Sequence, residues 1–179
     1  MATPYSNTAP DRMRDLFIVA LRNAHALENQ ALSIMTPQVT RIDHYPELAD
    51  RLRTHIDETH DQIARLDEML AGFDTGGSWL KDTALGLTGG MAALGHSLAT
   101  DEILKNSFAN YAFEHFEIAS YKSLLILAED GGFGSATALL EQSLREEESM
   151  AEWIDQSLPV ITRRYTKLYR DESAMVAKI

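Results

Sequence analysis

The sequence predicts an all-α protein: an antiparallel four-helix bundle with one long crossover connection and a short C-terminal helix. Two observations predict this fold. Four long segments carry apolar residues at the three- and four-residue spacing of a helix, and the connections between them are short, long and short. A chain of 179 residues is long enough for one domain with a substantial core, and too short to favour two.

The first predicted helix runs from about Asp11 to Met35. It follows the start signals Thr8 and Pro10 and ends before Pro37. Its apolar side recurs at helical spacing, which predicts that one face packs into a core. The residues of that side are Met13, Phe17, Ala20, Ala24, Ala31 and Met35.

Prolines and glycine-containing turns bound the other three helices. The second runs from about 46 to 73, the third from about 101 to 128, and the fourth from about 135 to 158. Pro159 interrupts the pattern, and we expect a short amphipathic tail helix from about 160 to 169.

The lengths of the connections decide the topology. The first and second helices are joined by a short loop, as are the third and fourth, so each pair should form an antiparallel hairpin. A long segment, from about Asp74 to Thr100, joins the two hairpins, and this is the ferritin-like connectivity. The expected parts are an N-terminal arm (1–10), the bundle (11–158) and a C-terminal tail helix (159–179).

Composition excludes several functional classes. The absence of cysteine excludes disulfides, thiolate metal sites and cysteine catalysis. A net charge of −11 disfavours nucleic acid as a partner. The uncharged stretch Ala84–Thr100 is shorter than the roughly 20 residues of a membrane span, so we expect no membrane partner. Because the N-terminus has no apolar run of the signal-peptide type, we expect a cytoplasmic protein.

Glutamates lie where the helical pattern predicts apolar side chains. Glu28 falls within the apolar side of the first helix and Glu147 within that of the fourth, and Glu114 and Glu117 lie in apolar rows of the third. Burying carboxylates without positive partners is unfavourable, and few of the chain's lysines and arginines lie near them. A pair of metal ions is the hypothesis that accounts for all four, although each glutamate taken alone could lie on a solvated face.

The second helix contributes Asp57 and His60, which are three residues apart and therefore share a face. Oxygen ligands with an imidazole suit iron or manganese better than copper or a structural zinc. We interpret the other histidines near the pattern as structural, with His115 the best placed to hydrogen-bond a ligand. Those histidines are His25, His55 and His115.

Hairpin geometry supports one shared site. The midpoint between Glu28 and Asp57 falls in the first short loop, and the midpoint between Glu117 and Glu147 falls at Gly132. Each hairpin therefore places its pair at one height. The general template is a glutamate from each of two helices and Glu-x-x-His from the other two.

The match to this template is incomplete. Asp57 stands in place of a glutamate, and Met150 stands where the second histidine would lie. Glu114 and Glu117, which are spaced to act together, could supply the missing ligand from the third helix.

Two segments of the chain resemble the YciE/YciF family of ferritin-like proteins most closely: AFEHFEIASYKSLLILAEDGGF (112–133) and LLEQSLREEE (139–148). THIDETHDQIARLDEML (54–70) and HALENQAL (25–32) resemble its second and first helices. The resemblance implies a ferritin-superfamily bundle, a homodimer, a bacterial stress-response setting and a di-metal site. The positions that match the family's site are Glu28, Asp57, His60, Glu114, Glu117 and Glu147, with Asp57 in place of a glutamate and Ala151 in place of an aspartate.

Three functions remain open from the sequence. The first is a di-iron or di-manganese oxidoreductase that reacts with dioxygen or peroxide, as a ferroxidase or a peroxide scavenger. The second is a non-catalytic metal-binding protein, and the third is a helical interaction module. The uncharged stretch, with Gly86, Gly89, Gly90 and Gly95, additionally predicts a homodimer, because small residues allow close backbone approach.

Overall fold

The computed structural model describes residues 8–73 and 99–179, and the regular structure in these ranges is helical throughout. Its four long helices are α1 (Ala9–Val39), α2 (Pro46–Ala71), α3 (Glu102–Gly131) and α4 (Thr137–Asp171). A 3₁₀ turn at Gly134–Ala136 precedes α4, and a short α5 (Ala174–Ala177) follows it. The predicted all-α four-helix fold is confirmed. Most of the uncharged stretch, residues 84–98, lies outside the described residues.

Two helix ends follow from local sequence. Thr8 caps α1, because its side-chain oxygen accepts a hydrogen bond from the Asp11 amide at 3.4 Å. At the end of α3, Gly132 adopts a left-handed conformation with φ of 74°, and its amide bonds to the carbonyls of Ala128 and Glu129. Glycine reaches this conformation without the strain that a side chain would cause.

Two predicted helix ends were wrong, and both lie at prolines. α1 continues through Pro37 to Val39, and α4 continues through Pro159 to Asp171. A proline inside a helix removes one backbone hydrogen bond. Both prolines are exposed, so water can bind the carbonyl left without a partner. The predicted tail helix is therefore the end of α4, and the predicted boundary at residue 158 is not a helix end.

Packing beyond Pro159 explains why α4 continues. Ile161 is buried, and Tyr165 and Leu168 pack against the same apolar cluster as the residues before the proline. Burying side chains of this size contributes about 1.5–3 kcal/mol each, which is comparable to the cost of roughly 3 kcal/mol for an interior proline. Tertiary packing thus overrides the local signal.

The four long helices pack as two antiparallel hairpins. Residues 40–45 connect α1 to α2, and residues 132–136 connect α3 to α4, whereas α2 and α3 are separated by residues 72–101. α1 contacts both α2 and α3, α3 packs on α4, and α2 and α4 make few contacts. None of the helices in the described ranges has the length and apolar character needed to cross a membrane.

The apolar core consists of two clusters. The upper cluster, at the α3–α4 turn, includes Phe17, Leu21, Leu66, Leu124 and Leu140. The lower cluster, near the α1–α2 loop, includes Met35, Leu52, Ile103, Phe113 and Ile154. Every long helix contributes to both clusters, and most of the buried side chains near the boundary between the clusters are polar. This arrangement creates a buried polar layer across the middle of the bundle.

Candidate metal centre

Five ionisable side chains from all four long helices meet in the polar layer, and we call this group the central cluster. Each of them is buried, because each lies on the inward face of its helix. The members are Glu28 of α1, His55 of α2, Glu114 and Glu117 of α3, and Glu147 of α4.

Within the central cluster, the ligand atoms of His55, Glu114 and Glu147 form the group that could hold one ion. The His55 Nε2 atom lies 3.1 Å from Glu114 Oε2 and 3.6 Å from Glu147 Oε2. One ligand atom from each of the three residues lies within 4.8 Å of the other two. Ligand atoms that are each about 2.1 Å from a common ion lie about 3 Å apart, so these three residues can bind one ion with little movement.

Six oxygen atoms in and beside the central cluster accept no well-formed hydrogen bond. Glu117 contributes two of them, and four other residues contribute one each. Those four atoms are Glu28 Oε2, Gln62 Oε1, Glu114 Oε2 and Glu147 Oε2. Buried polar atoms are nearly always satisfied, so a concentration of acceptors without donors indicates a missing positive partner.

Burial makes ionisation of these glutamates unfavourable. It raises the pKa of Glu28 to about 7, although a hydrogen bond from Tyr121 favours the charged form. It also raises the pKa of Glu117 and of Glu147 well above the ordinary value, and the neighbouring charge of Glu28 raises both further. Without a cation, the central cluster can carry its full negative charge only at a large energetic cost.

The neighbours of His55 favour its protonated, positively charged form. Burial alone would lower its pKa, but the charge of Glu114 and hydrogen bonds to Glu114 and Glu58 raise the pKa of His55 to about 10. On the other edge of the ring, His55 Nδ1 lies 2.9 Å from Glu58 Oε2. Partial burial opposes ionisation of Glu58, yet hydrogen bonds from His55 and Arg51 lower the pKa of its carboxyl.

Further polar side chains hold individual carboxylates in place. The Tyr121 hydroxyl donates to Glu28 Oε1 at 2.6 Å, and the Gln62 amide donates to Glu147 Oε1. Arg65 pairs with Glu146 and donates to Ser143 Oγ at 3.1 Å, and its charge is the smallest of the influences on the pKa of Glu28. Glu28 and Glu147 are therefore each oriented by a donor on one oxygen, and their other oxygens accept no well-formed hydrogen bond.

The structure brings four of the six predicted residues together. Glu28, Glu114, Glu117 and Glu147 are all buried in the central cluster. The two residues predicted on α2 are not part of it, since Asp57 and His60 are both exposed. The expectation that these two line the shared site is corrected accordingly.

The periodicity of α2 explains this correction. The buried positions on α2 follow alternating steps of four and three residues from Leu48 through Leu52, continuing as His55, Thr59, Gln62, Leu66 and Met69. Their middle members are polar, so a search for apolar residues selected Ile56 and Ile63, which are only partly buried. Interpolating the spacing between the leucines at the two ends would have identified His55.

Two further histidines that the sequence pattern singled out, and Met150, lie outside the central cluster or supply it with no ligand. His115, expected beside a ligand, is exposed, and its ring meets the edge of Tyr111 with centroids 4.6 Å apart. His25 lies 3.2 Å from Asp67, outside the central cluster. Met150 is fully buried in the lower apolar cluster and supplies no imidazole.

Comparisons with known proteins agree with this fold. A family model described as a domain of unknown function, DUF892, matches residues 12–167. Protein YciF of Escherichia coli K12 is 28% identical over 144 residues, which cover 76% of this chain and 84% of YciF.

Two solved structures are also similar. A protein from Xanthomonas campestris pv. campestris superposes with a TM-score of 0.73 at 30% identity, over 90% of this chain and 99% of that one. The crystal structure of the E. coli stress protein YciF superposes with a TM-score of 0.64 at 25% identity, over 82% of this chain and 94% of that one. The chain therefore belongs to the DUF892 family, in agreement with its resemblance to the YciE/YciF proteins.

Proposed function

We propose that this protein is a ferritin-like metal-binding protein whose central cluster holds two divalent ions, iron or manganese. The observation that carries the proposal is the group of six buried oxygens, in and beside the central cluster, that accept no well-formed hydrogen bond. Charge balance supports two ions, because four ionised glutamates and a neutral His55 carry four negative charges, which two divalent ions neutralise. A single ion would leave two buried charges uncompensated.

The ligand set assigns different surroundings to the two ions. His55, Glu114 and Glu147 would hold the first ion, since their ligand atoms are already close together. Glu28 and Glu117, the remaining carboxylates of the central cluster, would hold the second. A set of four carboxylates and one imidazole suits iron and manganese, whereas thiolate-preferring ions find no such ligand here.

The proposed chemistry is redox chemistry of the ferroxidase or peroxide-scavenging type. A bound pair of iron or manganese ions supplies the electrons with which dioxygen or peroxide is reduced. The protein's own contribution is to orient Glu28 through Tyr121 and Glu147 through Gln62, and to exclude bulk water from the layer. The similarity to a protein described as a stress protein supports this setting.

Metal stoichiometry tests the proposal. Protein stripped with a chelator would be loaded anaerobically with Fe²⁺ or Mn²⁺, and the bound metal measured by elemental analysis. We expect two ions per chain in the wild type and a loss of metal in Glu147→Ala. The control is Glu148→Ala, because Glu148 is exposed and pairs with Lys122. Equal metal content in Glu147→Ala and the wild type would contradict the proposed site.

One observation favours a second candidate function, a non-catalytic site for a single ion. Within residues 8–73 and 99–179, only three ionisable side chains lie within ligand distance of one another, and Met150 occupies the position of the template's second histidine. This alternative predicts one ion per chain and no consumption of dioxygen or peroxide after loading. The interaction-module hypothesis predicts no bound metal at all.

A homodimer remains part of the proposal. In the described part of the chain, α3 carries an exposed row at helical spacing whose residues are mostly apolar, namely Phe108, Ala112, Phe116, Ala119, Ser123 and Ile126. Contiguous apolar surface of this kind is typical of protein interfaces. Light scattering at tens of micromolar should give twice the 20.0 kDa mass of the chain, and a monomer would contradict the expectation.

A further inference from the structure

A line of three residues, joined by two contacts, reaches the central cluster from the surface of α2. Arg51 Nη1 lies 2.9 Å from Glu58 Oε2, and the same oxygen lies 2.9 Å from His55 Nδ1. The three residues are spaced so that they share one side of the helix. Arg51 and Glu58 are partly exposed, whereas His55 is buried.

The contact with Glu58 determines which nitrogen of His55 can bind a metal. An ionised carboxylate can only accept hydrogen bonds, so the nitrogen that faces Glu58 must carry a hydrogen. That nitrogen is Nδ1, and the opposite nitrogen, Nε2, faces Glu114 and Glu147. The free electron pair of a neutral His55 therefore points at the carboxylates of the central cluster.

Arg51 keeps Glu58 in this orientation. Its guanidinium binds the same carboxylate oxygen that contacts the histidine. The hydrogen bonds and ion pairs described for Arg51 and Glu58 join these two residues to each other and to His55, and none of them reaches a carboxylate of the central cluster. Histidines that bind metals usually donate their other ring N–H to a carboxylate, which fixes the tautomer and strengthens the ligand. The contacts of His55 on α2 match this arrangement.

We propose, resting on the metal site described above, that Arg51 and Glu58 are positioning residues that make His55 an Nε2 ligand. Glu58 binds no ion itself. It holds the ring so that Nε2 points at Glu114 and Glu147, and Arg51 holds Glu58. The sequence patterns did not identify this role. The template selects Asp57 and His60, which lie on either side of Glu58, and assigns no role to Glu58 itself.

Metal affinity in matched variants tests this inference. Mn²⁺ would be titrated into the chelator-stripped wild type, Glu58→Gln and Asp61→Asn. We expect Glu58→Gln to bind Mn²⁺ about 10-fold more weakly, at the lower end of the effect of such supporting groups, since glutamine can still accept a weaker hydrogen bond. Asp61→Asn removes the same charge from an exposed position on the same helix and should bind as the wild type does.

A second measurement reports the ring directly. In ¹⁵N-histidine-labelled protein loaded with Zn²⁺ as a diamagnetic probe, we expect the hydrogen of His55 on Nδ1 and the metal on Nε2. Glu58→Ala should lose this fixed pattern, which keeps the inference testable if Glu58→Gln fails to fold. Arg51→Gln should weaken Mn²⁺ binding in the same direction.

The outcomes separate the two proposals. A wild-type protein that binds no Mn²⁺ overturns the metal function together with this inference. A wild type that binds Mn²⁺ while Glu58→Gln binds it equally well overturns only the positioning role, as does a Zn²⁺-loaded protein with the metal on Nδ1. Weaker binding in Glu58→Gln, unchanged binding in Asp61→Asn and metal on Nε2 would support it.

Discussion

Buried carboxylates occur in two regions of this bundle, and the regions differ in how their charge is neutralised. At the lower end, Glu102 is 2% exposed, and its Oε1 atom accepts hydrogen bonds from Arg41 at 2.6 and 3.1 Å. Its other oxygen lies 3.3 Å from the Lys178 ammonium. In the central cluster, Glu117 is 1% exposed and neither of its oxygens accepts a hydrogen bond.

The comparison separates a structural carboxylate from a candidate ligand. Glu102 joins the α1–α2 loop to the C-terminal segment, which is also held by the Tyr45 hydroxyl on the Ala177 carbonyl at 2.6 Å and by the Ile103 amide on the Lys178 carbonyl at 3.1 Å. There the chain supplies its own cations. In the central cluster the chain supplies acceptors, and the proposed metal ions complete the charge balance. Burial alone does not distinguish the two, whereas the neighbours do.

The largest expected effect is stabilisation of the central cluster by metal. An ion that binds only the folded protein stabilises it by about 2.7 kcal/mol when present at 100 times its dissociation constant. We therefore expect Mn²⁺ to raise the melting temperature of the stripped wild type. Glu147→Ala should show no such rise, and Glu102→Gln should retain it. If Mn²⁺ raised the melting temperature of Glu147→Ala by the same amount, the central cluster would not be the metal site, and it would not differ from the Glu102 region in this respect.

The next effect is the pH dependence of the metal-free protein. The pKa of Glu28 is raised to about 7 from an ordinary 4.5, so its contribution to stability is fully present below pH 4.5 and is lost as the pH rises through 7. His55, whose pKa is raised to about 10, acts in the same direction above pH 6.5. The raised pKa values of Glu117 and Glu147 act in the same direction. We expect urea unfolding to give more stability at pH 5.5 than at pH 7.5, with about 2 kcal/mol of the difference from Glu28.

Glu28→Gln provides the control for this pH effect. The amide cannot ionise, yet its oxygen can still accept the hydrogen bond from Tyr121. The dependence on pH should therefore be smaller in Glu28→Gln than in the wild type. If the two proteins changed equally between pH 5.5 and 7.5, the buried Glu28 carboxyl would not be the source of the effect.

Removing the charge at the paired region should have an intermediate effect. Glu102→Gln weakens the charged hydrogen bonds to Arg41 and the contact with Lys178, and we expect a loss of about 1–2 kcal/mol. This value is below that of a fully buried pair, because the Arg41 side chain is 40% exposed and screened by water. Urea unfolding should give the same loss with and without Mn²⁺. A loss of stability seen only in the metal-free protein would show that Glu102 is energetically coupled to the central cluster.

The smallest expected effects are at the exposed α2 positions that the sequence template selected. Asp57→Asn and His60→Ala should each change the unfolding free energy by less than about 0.5 kcal/mol, as is usual at exposed positions. Mn²⁺ stoichiometry should also stay at the wild-type value in both. Loss of metal in either variant would show that the residue is a ligand after all, and that α2 turns a different face to the central cluster when metal is bound.

Much of the candidate site could be predicted because glutamate is rare at inward helix positions. Glu28 and Glu147 interrupt apolar rows, and together with the matching heights in the hairpins this favoured burial, which the structure confirms. Their role as ligands stays a prediction. His55 was missed for the opposite reason: in the middle of α2 the inward residues are themselves polar, so the apolar contrast that marks a buried face is absent.

By itself, the sequence determined the four helices, their pairing into hairpins and the height at which the glutamates lie. Helical periodicity and short connections are local properties, and they do not depend on the rest of the fold. Tertiary structure alone decided the rotation of α2 about its axis, which selects His55 over His60, and the continuation of α4 through Pro159. Both depend on which face finds apolar partners on other helices, and burial against those partners contributes more free energy than a local signal such as one proline or a short motif can oppose.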